Sequence, residues 1–265
     1  HRDLHSFPTR RSSDLWIAGL ICLIIALARP QRTLQEEEVK AEGIDICLVM
    51  DLSSSMLAKD FQPDRLEASK AVAIEFVDKR QYDRFGLVVF AGESYTQSPL
   101  TMDHRVIQEQ LSSLRCGLLD DGTAIGMGLA SAVNRLKDSE AKSKVIILLT
   151  DGVNNRGYIQ PLQAAEIAKQ YNIKVYTIGV GTAGEALTPV SRRSDGQYVF
   201  GYANVEIDEN LLKQIAEETG GQYFRALNET GLRSIYDEID QLEKTEMDVT
   251  VFKRYKDLYR NFAWI

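Results

Sequence analysis

Hydrophobic runs alternate with amphipathic stretches along most of the chain, and this alternation defines the elements that the sequence predicts. Residues 44–50, 85–91, 144–150 and 173–180 are nearly continuous apolar runs, which is typical of strands buried on both faces of a sheet. Between them, apolar residues recur three or four positions apart, which predicts helices with one buried stripe. The pattern predicts an α/β fold with a doubly wound, mostly parallel central sheet and helices on both faces.

The shorter elements follow from the same reasoning. Residues 94–100 alternate and predict an antiparallel edge strand, and residues 182–205 form an insertion rich in Gly, Ser and Tyr. Asp103 is placed to cap a helix, with His104 in its first turn. Further helices are predicted over residues 66–77, 103–114, 124–136, 163–171, 209–218 and 229–244, and further strands from residue 223 and over residues 248–252.

The first 30 residues do not show the alternation of strands and helices seen in the rest of the chain. Residues 1–15 contain the string HSFPTRRSSDL, which resembles a translated reading frame of a common sequencing adapter, so we expect a non-native segment there. Residues 16–28 are uninterrupted by charge, but a spanning helix needs roughly 20 apolar residues. We therefore interpret residues 16–30 as the surviving end of a truncated transmembrane helix.

The remaining chain divides into a linker, a domain and a C-terminal segment. Residues 31–43 are polar and acidic, so they predict a linker or an edge strand, and the domain is expected over residues 44–245. Residues 246–265 begin with the last predicted strand and end in a mixture of aromatic and basic residues, which is typical of a membrane interface. We expect this segment to lead to a second, missing span.

Composition narrows the classes of function. Basic residues number 31 and acidic residues 38, for a net charge of −7, and no Lys/Arg stripe is present. Nucleic-acid binding is not expected, because it requires clustered cations that neutralise phosphates. The 3 cysteines form no CxxC pair, so neither a disulfide framework nor a zinc site is predicted.

Oxygen-bearing side chains follow the carboxyl ends of the predicted strands. This is the position at which α/β sheets bind their ligands. Asp51, Ser53 and Ser55 come directly after the first apolar run, Asp151 follows the run at 144–150, and Thr123 lies in a loop before a helix. Two carboxylates and three hydroxyls form an all-oxygen set, which favours a hard cation over zinc or copper. We predict one Mg²⁺ or Mn²⁺ ion, with a coordination position left open for a carboxylate of a partner protein.

The order DxSxS, Thr, Asp resembles the metal-ion-dependent adhesion site (MIDAS) of von Willebrand factor A-type (VWA) domains. The sequences DGTAIG at 121–126, LTDGVNN at 149–155 and YTIGVG at 176–181 are similar to those of the bacterial BatA-type aerotolerance proteins. The resemblance implies that Ser53 and Ser55 ligate the metal directly and that Thr123 does so when a partner is bound. It implies that Asp51 and Asp151 act largely through water.

The same resemblance implies a cellular setting. BatA-type proteins carry the domain between membrane helices, and their genes lie near those of related VWA proteins and a MoxR-type AAA+ ATPase. We therefore expect a protein of the bacterial inner membrane with the domain on the periplasmic side. Other Bat-type VWA proteins and a MoxR-type ATPase are the expected partners.

Two other functions fit parts of the pattern. A Mg²⁺-dependent phosphatase-like hydrolase would need a second acidic residue close after its nucleophilic Asp, and Leu52 and Ser53 follow Asp51 instead. A chelatase-type VWA subunit of an AAA+ motor would be soluble, which the apolar segment at 16–28 disfavours. The prediction is therefore a binding module and not an enzyme. Asp120 and Asp121 are expected to be solvated loop charges.

Overall fold

The computed structural model describes residues 10–27, 31–39, 43–182, 184–193, 196–205, 207–244 and 251–257. The chain forms two compact units, one made of residues 41–247 and the other of the two ends, residues 1–40 and 248–265. The strands are β1 Gln31–Val39, β2 Asp45–Asp51, β3 Arg84–Phe90, β4 Ser94–Thr101, β5 Lys144–Thr150, β6 Ile173–Val180, β7 Gly184–Arg192, β8 Tyr198–Val205, β9 Tyr223–Ala226 and β10 Val251–Asp257. The helices are α1 Arg10–Leu27, α2 Arg65–Lys79, α3 His104–Ser113, α4 Ile125–Leu136, α5 Pro161–Gln170, α6 Glu209–Thr219 and α7 Glu229–Lys244.

Six strands form the central sheet of the larger unit, in the order β4-β3-β2-β5-β6-β9. All neighbouring strands are parallel except β3 and β4, which are antiparallel. The doubly wound, mostly parallel sheet predicted from the sequence is confirmed, and so is the antiparallel edge at β4. The chain runs from β2 to β3 on one side and later returns to β5 on the other side of β2, so the strand order reverses there.

Two separate hydrophobic cores cover the two faces of this sheet. Successive side chains of a strand point to opposite faces, so Ile46 and Leu48 join one core while Cys47 and Val49 join the other. The first core contains apolar residues of α2, α3 and α7, and the second contains those of α4, α5 and α6. The prediction of helices on both faces is therefore confirmed.

The helix ends show why these segments stop where they do. Asp103 caps α3 by accepting hydrogen bonds from the backbone N–H groups of Arg105 and Val106, as the sequence predicts. Gly220 ends α6 in the left-handed conformation with φ 74°, which glycine adopts without a steric penalty. Asp64 caps α2 through the N–H of Glu67 and thereby fixes where Arg65, the first residue of that helix, is placed.

The insertion at 182–205 is a two-stranded antiparallel hairpin of β7 and β8, which the sequence analysis left without secondary structure. Its ladder contains an irregularity between Pro189 and Ser191. Proline cannot donate to a ladder, and a bulge breaks the two-residue alternation that identifies a strand in sequence. The hairpin therefore gives only a weak sequence signal.

The smaller unit pairs the two ends of the described chain. Strand β1 runs antiparallel to β10, with Gln31 opposite Asp257 and Val39 opposite Val251. Of the two interpretations of residues 31–43, a linker or an edge strand, the strand is correct over residues 31–39. The last described strand spans residues 251–257, and residues 248–250 of the predicted strand at 248–252 lie outside the described residues.

The predicted membrane segments stay partly outside the described residues. Helix α1 begins at Arg10, inside the segment interpreted as adapter-derived, and covers the apolar run. Within the described ranges no helix has the length and apolar character needed to cross a membrane. Residues 1–9, 28–30 and 258–265, which carry part of the adapter and membrane predictions, lie outside the described residues.

Candidate metal centre

Strands β2 and β5 lie side by side and deliver two acidic residues to the same edge of the sheet. Asp51 is the last residue of β2, and Asp151 follows the last residue of β5. Because the strand order reverses at β2, this edge is the position where α/β sheets bind ligands. Asp51 is 0% exposed and Asp151 1% exposed, so both carboxylates are withdrawn from bulk water.

Each oxygen of the Asp51 carboxylate accepts a hydrogen bond within the site. Its Oδ1 accepts the backbone N–H of Ser53 at 2.8 Å, and its Oδ2 accepts the hydroxyl of Thr150 at 2.6 Å. Burial, and then the negative charge of Asp151, raise the pKa of Asp51 to about 7, although the hydrogen bonds from Ser53 and Thr150 act in the opposite direction. A nearby cation would relieve this cost of holding the charged form.

The two serines of the DxSxS sequence lie directly beside Asp151. Ser53 precedes a short 3₁₀ turn at Ser54–Leu57, and this turn brings the Ser53 and Ser55 hydroxyls within 3.0 Å of each other. The Ser55 hydroxyl donates to Asp151 Oδ1 at 2.7 Å. Three of the five predicted ligand residues therefore form one continuous chain of oxygen atoms.

Thr123 reaches the same edge through the loop before α4. Its backbone N–H donates to Asn155 Oδ1 at 2.9 Å, and its carbonyl accepts the N–H groups of Asn155 and Arg156. A Cβ added to Gly152 would lie 3.1 Å from the Thr123 hydroxyl, so this hydroxyl is beside the residue that follows Asp151. Glycine at 152 leaves the space that the threonine side chain occupies.

Arg65 is a site residue that the sequence analysis missed. Its guanidinium is 0% exposed and donates from Nη1 to Asp151 Oδ2 at 2.7 Å. It also forms a two-pronged contact with Asp60, at 2.7 Å from Nε and 2.6 Å from Nη2. Burial raises the pKa of Asp151 while the Arg65 charge opposes that shift, so Arg65 is the counter-charge of Asp151. An arginine at a helix start usually signals an exposed side chain, and nothing in the sequence pattern distinguishes this one.

Asp121 is exposed, as expected of a loop charge, but its carboxylate is also held in place by Ser54. Its two carboxylate oxygens accept the backbone N–H and the hydroxyl of Ser54, at 2.9 and 2.7 Å. Burial raises the pKa of Asp121, but these hydrogen bonds outweigh it and hold the pKa below its ordinary value. Asp121 thereby ties the loop carrying Thr123 to the loop carrying Ser53 and Ser55.

The β7–β8 hairpin borders these loops. The backbone N–H of Lys59 donates to the carbonyl of Leu187 at 2.9 Å, and the Lys59 ammonium lies 5.6 Å from the ring centre of Phe200. On the other side, the Tyr198 hydroxyl lies 3.6 Å from where a Cβ on Gly117 would stand. The insertion therefore packs against residues that are close in sequence to Ser55 and to Asp121.

The ligand set differs from a site made only of acidic, histidine or cysteine side chains. Across the described ranges, no three or more His, Cys, Asp or Glu side chains are grouped to hold a metal. Here two carboxylates share the site with the hydroxyls of Ser53, Ser55 and Thr123. Such a set suits a hard cation that keeps water ligands, because hydroxyl and carboxylate oxygens are hard donors.

Comparison with protein families identifies the domain. The family model of the von Willebrand factor type A domain matches residues 45–238. The chain belongs to the VWA domain family. A Borreliella burgdorferi protein is 31% identical to it over 251 residues, covering 94% of this chain and 73% of that protein. The similarity therefore extends beyond the VWA domain itself.

Two solved VWA structures from Bacteroides resemble the chain in both sequence and fold. An aerotolerance-related membrane protein of Bacteroides fragilis is 31% identical, with a TM-score of 0.66, and the match covers 77% of this chain and 100% of that chain. The BatB protein of Bacteroides thetaiotaomicron is 32% identical, with a TM-score of 0.65, and the match covers 76% of this chain and 100% of that chain. The resemblance to Bat-type aerotolerance proteins is therefore confirmed.

A more distant structure shares the fold alone. Proximal thread matrix protein 1 of the mussel byssus is 24% identical, with a TM-score of 0.60, and the match covers 85% of this chain and 50% of that chain. Its structure is described as having a zinc-occupied MIDAS motif. A protein of the same fold therefore binds a metal at a MIDAS motif.

Proposed function

We propose that this VWA domain binds one divalent cation at Asp51, Ser53, Ser55, Thr123 and Asp151 and uses it to bind a carboxylate of a partner protein. The observation that carries the proposal is the contact between Ser53, Ser55 and Asp151, whose oxygens lie 3.0 and 2.7 Å apart. A cation at this point would have the two serine hydroxyls as direct ligands and the Asp151 carboxylate within reach through water. The buried Asp51 supplies further negative charge beside them.

The oxygen spacing favours Mg²⁺ or Mn²⁺ among the common divalent ions. Mg²⁺ takes oxygen ligands at about 2.0–2.1 Å in octahedral geometry, which places neighbouring oxygens about 2.9–3.0 Å apart. The Ser53–Ser55 separation of 3.0 Å agrees with that spacing. The Ser55–Asp151 separation of 2.7 Å is a hydrogen bond to a carboxylate that is expected to act through water. Ca²⁺, with ligands at about 2.3–2.6 Å, would need the loops to separate. Zinc is the competing ion, since it occupies the MIDAS of the mussel protein.

Two acidic residues and three hydroxyls cannot saturate an octahedral ion. Five protein positions, two of which are expected to act through water, leave at least one site for an outside ligand. A carboxylate is the outside ligand with the matching charge and hardness. A partner that presents an Asp or Glu side chain would therefore complete the coordination, and removing the metal would release it.

We extend the proposal to the cellular setting. The similarity to BatB and to an aerotolerance-related membrane protein supports a role in assemblies of Bat-type proteins. Within that role we propose a membrane-anchored protein of the bacterial inner membrane with the VWA domain on the periplasmic side. Other VWA proteins and a MoxR-type AAA+ ATPase are the proposed members of the assembly.

Calorimetric titration of the purified chain tests the metal site directly. Mg²⁺ and Mn²⁺ are expected to bind with one ion per chain, and Ser53→Ala is expected to weaken binding. Ser94→Ala is the matched control, because the Ser94 hydroxyl pairs with Ser131 instead of with the site. An absence of heat with both metals, or equal affinity in the two variants, would contradict the proposal.

Capture from solubilised membranes then tests the partner. The wild-type chain with Mg²⁺ should retain a protein that EDTA releases, and Ser53→Ala should fail to retain it. Retention that is unaffected by EDTA would show that the partner binds elsewhere on the chain.

A further inference from the structure

Arg65 and Asp60 connect the candidate metal site to the chain segment that enters the β7–β8 hairpin. Arg65 contacts Asp151 through Nη1 and Asp60 through Nε and Nη2, all at 2.6–2.7 Å. Asp60 Oδ2 in turn accepts the backbone N–H of Thr182 at 2.9 Å and its hydroxyl at 3.1 Å. One run of charged hydrogen bonds therefore extends from Asp151 to Thr182, two residues before β7 begins.

The backbone at this point packs directly on the guanidinium. Gly181 has φ +131°, and a Cβ there would lie 2.7 Å from the central carbon of the Arg65 guanidinium. Only glycine is compatible with both the dihedral angle and the close approach. The position of the Arg65 side chain and the path of the chain out of β6 are thus mutually dependent.

The hairpin that begins here lines the proposed partner-binding face. It contacts the segment that follows the Ser54–Leu57 turn through the Lys59–Leu187 hydrogen bond, and it exposes large side chains, with Tyr202 77% and Val190 54% accessible. Exposed aromatic side chains such as Tyr202 are typical of protein-binding surfaces.

We propose that Arg65 is a positioning residue that joins the metal ligand Asp151 to the hairpin, so that the hairpin forms one wall of the partner-binding face and responds to metal occupancy. This inference rests on the function proposed above and specifies how the same site is regulated. It identifies the hairpin as the part of the chain that contacts the partner beside its metal-bound carboxylate.

The expected response of the hairpin to metal follows from the charges around Asp151. A divalent cation bound beside Asp151 would compete with Arg65 for the charge of that carboxylate. Arg65 would then interact mainly with Asp60 and would hold that carboxylate in the position where it accepts both donors of Thr182. The hairpin should therefore be more rigid with metal than without it.

Hydrogen exchange of the full chain with Mg²⁺ and with EDTA tests this. In the wild type, Mg²⁺ should slow exchange of amides in residues 184–192 and 198–205 by about fivefold or more, the lower end of measured couplings between sites. Asp60→Asn should abolish this slowing while calorimetry still detects Mg²⁺ binding. If Asp60→Asn does not fold, Thr182→Val, which removes only the hydroxyl donor, should reduce the slowing.

The chain offers a matched control at the other end of α2. Arg80 also bridges two aspartates, Asp83 and Asp240, and Asp240→Asn removes one of them far from the hairpin. The hairpin should still respond to Mg²⁺ in that variant. A response that persists in Asp60→Asn, or that is lost equally in Asp240→Asn, would overturn the proposal.

The wild-type protein alone distinguishes a failure of the metal-site proposal from a failure of the proposal for Arg65. Mg²⁺ binding without any slowing in the hairpin would contradict the role of Arg65 and leave the metal site in place. No detectable Mg²⁺ binding would contradict the metal site, and the inference would be lost with it.

Discussion

Arg65 donates a 2.7 Å hydrogen bond to Asp151 although neither side chain has any exposed surface. A buried ion pair contributes little net stability compared with apolar packing, but removing one partner leaves an uncompensated buried charge. Asp151 must be charged to act on a metal. The arginine therefore favours the charged form of a carboxylate whose pKa is raised by burial inside the domain.

Arg65→Ala should destabilise the metal-free domain by about 3–5 kcal/mol, because it leaves both Asp151 and Asp60 without their counter-charge. Urea unfolding in EDTA measures the change in the free energy of unfolding. Mg²⁺ should restore more stability to this variant than to the wild type, since the cation supplies part of the missing charge.

Arg233→Ala is the matched control for that experiment. Arg233 also contacts two carboxylates, Glu75 and Glu229, but its side chain is 43% exposed. Surface pairs of this kind contribute about 0–1 kcal/mol. Equal losses in the two variants would show that Arg65 has no special role at the site.

Metal binding should depend on pH through Asp51. Because burial and Asp151 raise its pKa to about 7, the metal-free protein favours the protonated form below neutrality. A raised carboxyl pKa gives a stability contribution that is present below the ordinary value near 4 and is lost as pH rises through 7. A cation needs the charged form, so binding below pH 7 must displace a proton.

Two measurements test whether metal binding displaces a proton from Asp51. The apparent Mg²⁺ affinity should fall by about tenfold for each pH unit below 7 if one proton is displaced. At pH 6 the binding heat should vary with the ionisation enthalpy of the buffer, whereas at pH 8.5 it should not. Buffer-independent heats at both pH values would contradict a protonated Asp51. Asp51→Asn should also flatten the metal-free stability profile between pH 5 and pH 8.

The sequence was sufficient to place the parts of the site that follow strand ends. Asp51 and Asp151 stand at the ends of apolar runs, and parallel strands of one sheet bring their carboxyl ends to one edge. The spacing of Ser53 and Ser55 after Asp51 then placed both hydroxyls in the same loop. These relationships are local or depend only on strand order, so pattern analysis could find them.

Features that depend on distant pairing could not be found in the same way. Arg65 meets Asp151 across 86 positions of the chain, and nothing in the spacing around either residue indicates the other. The Ser54–Asp121 contact spans 67 positions, so the local pattern could not indicate the hydrogen bonds that this exposed carboxylate accepts. The hairpin at 184–205 was missed because its irregular ladder hides the alternation of a strand.

Asn155→Ala should weaken metal binding through Thr123. The Asn155 side chain accepts the backbone N–H of Thr123, which is 4% exposed, so the variant leaves a buried donor without its partner at a cost of about 1–3 kcal/mol. A loosened Thr123 should present its hydroxyl to the metal less often. Calorimetric titration with Mn²⁺ measures the affinity.

The neighbouring Asn154→Ala provides the comparison. Asn154 accepts the N–H of Ile125, the first residue of α4, so its loss should cost about 1 kcal/mol of stability as a lost cap does. Its effect on Mn²⁺ affinity should be the smaller of the two. A larger affinity loss in Asn154→Ala would show that the start of α4, and not Thr123 itself, governs the site.

The C-terminal end of α7 is hydrogen-bonded to the end of the sheet opposite the metal site. Glu243, 1% exposed, accepts hydrogen bonds from the Tyr176 hydroxyl at 2.7 Å and from the Ser143 hydroxyl at 2.8 Å. Tyr176→Phe should lower the free energy of unfolding by about 1.5–3 kcal/mol, the range for a hydrogen bond to a charged group. Tyr202→Phe, at an exposed tyrosine of the hairpin, should leave it unchanged.

Hydrogen exchange of residues 229–244 in Tyr176→Phe tests whether the hydrogen bonds of Glu243 restrain α7 when metal binds. If α7 responds to the metal, Mg²⁺ should change the exchange of these amides more in the variant than in the wild type, because one of the bonds that hold Glu243 is gone. Mg²⁺ affinity itself should stay close to that of the wild type, since Tyr176 lies on the first half of β6 and away from Asp151. Unchanged protection of α7 in both proteins would show that the metal site acts without this helix, leaving the Arg65 network as the route to the rest of the domain.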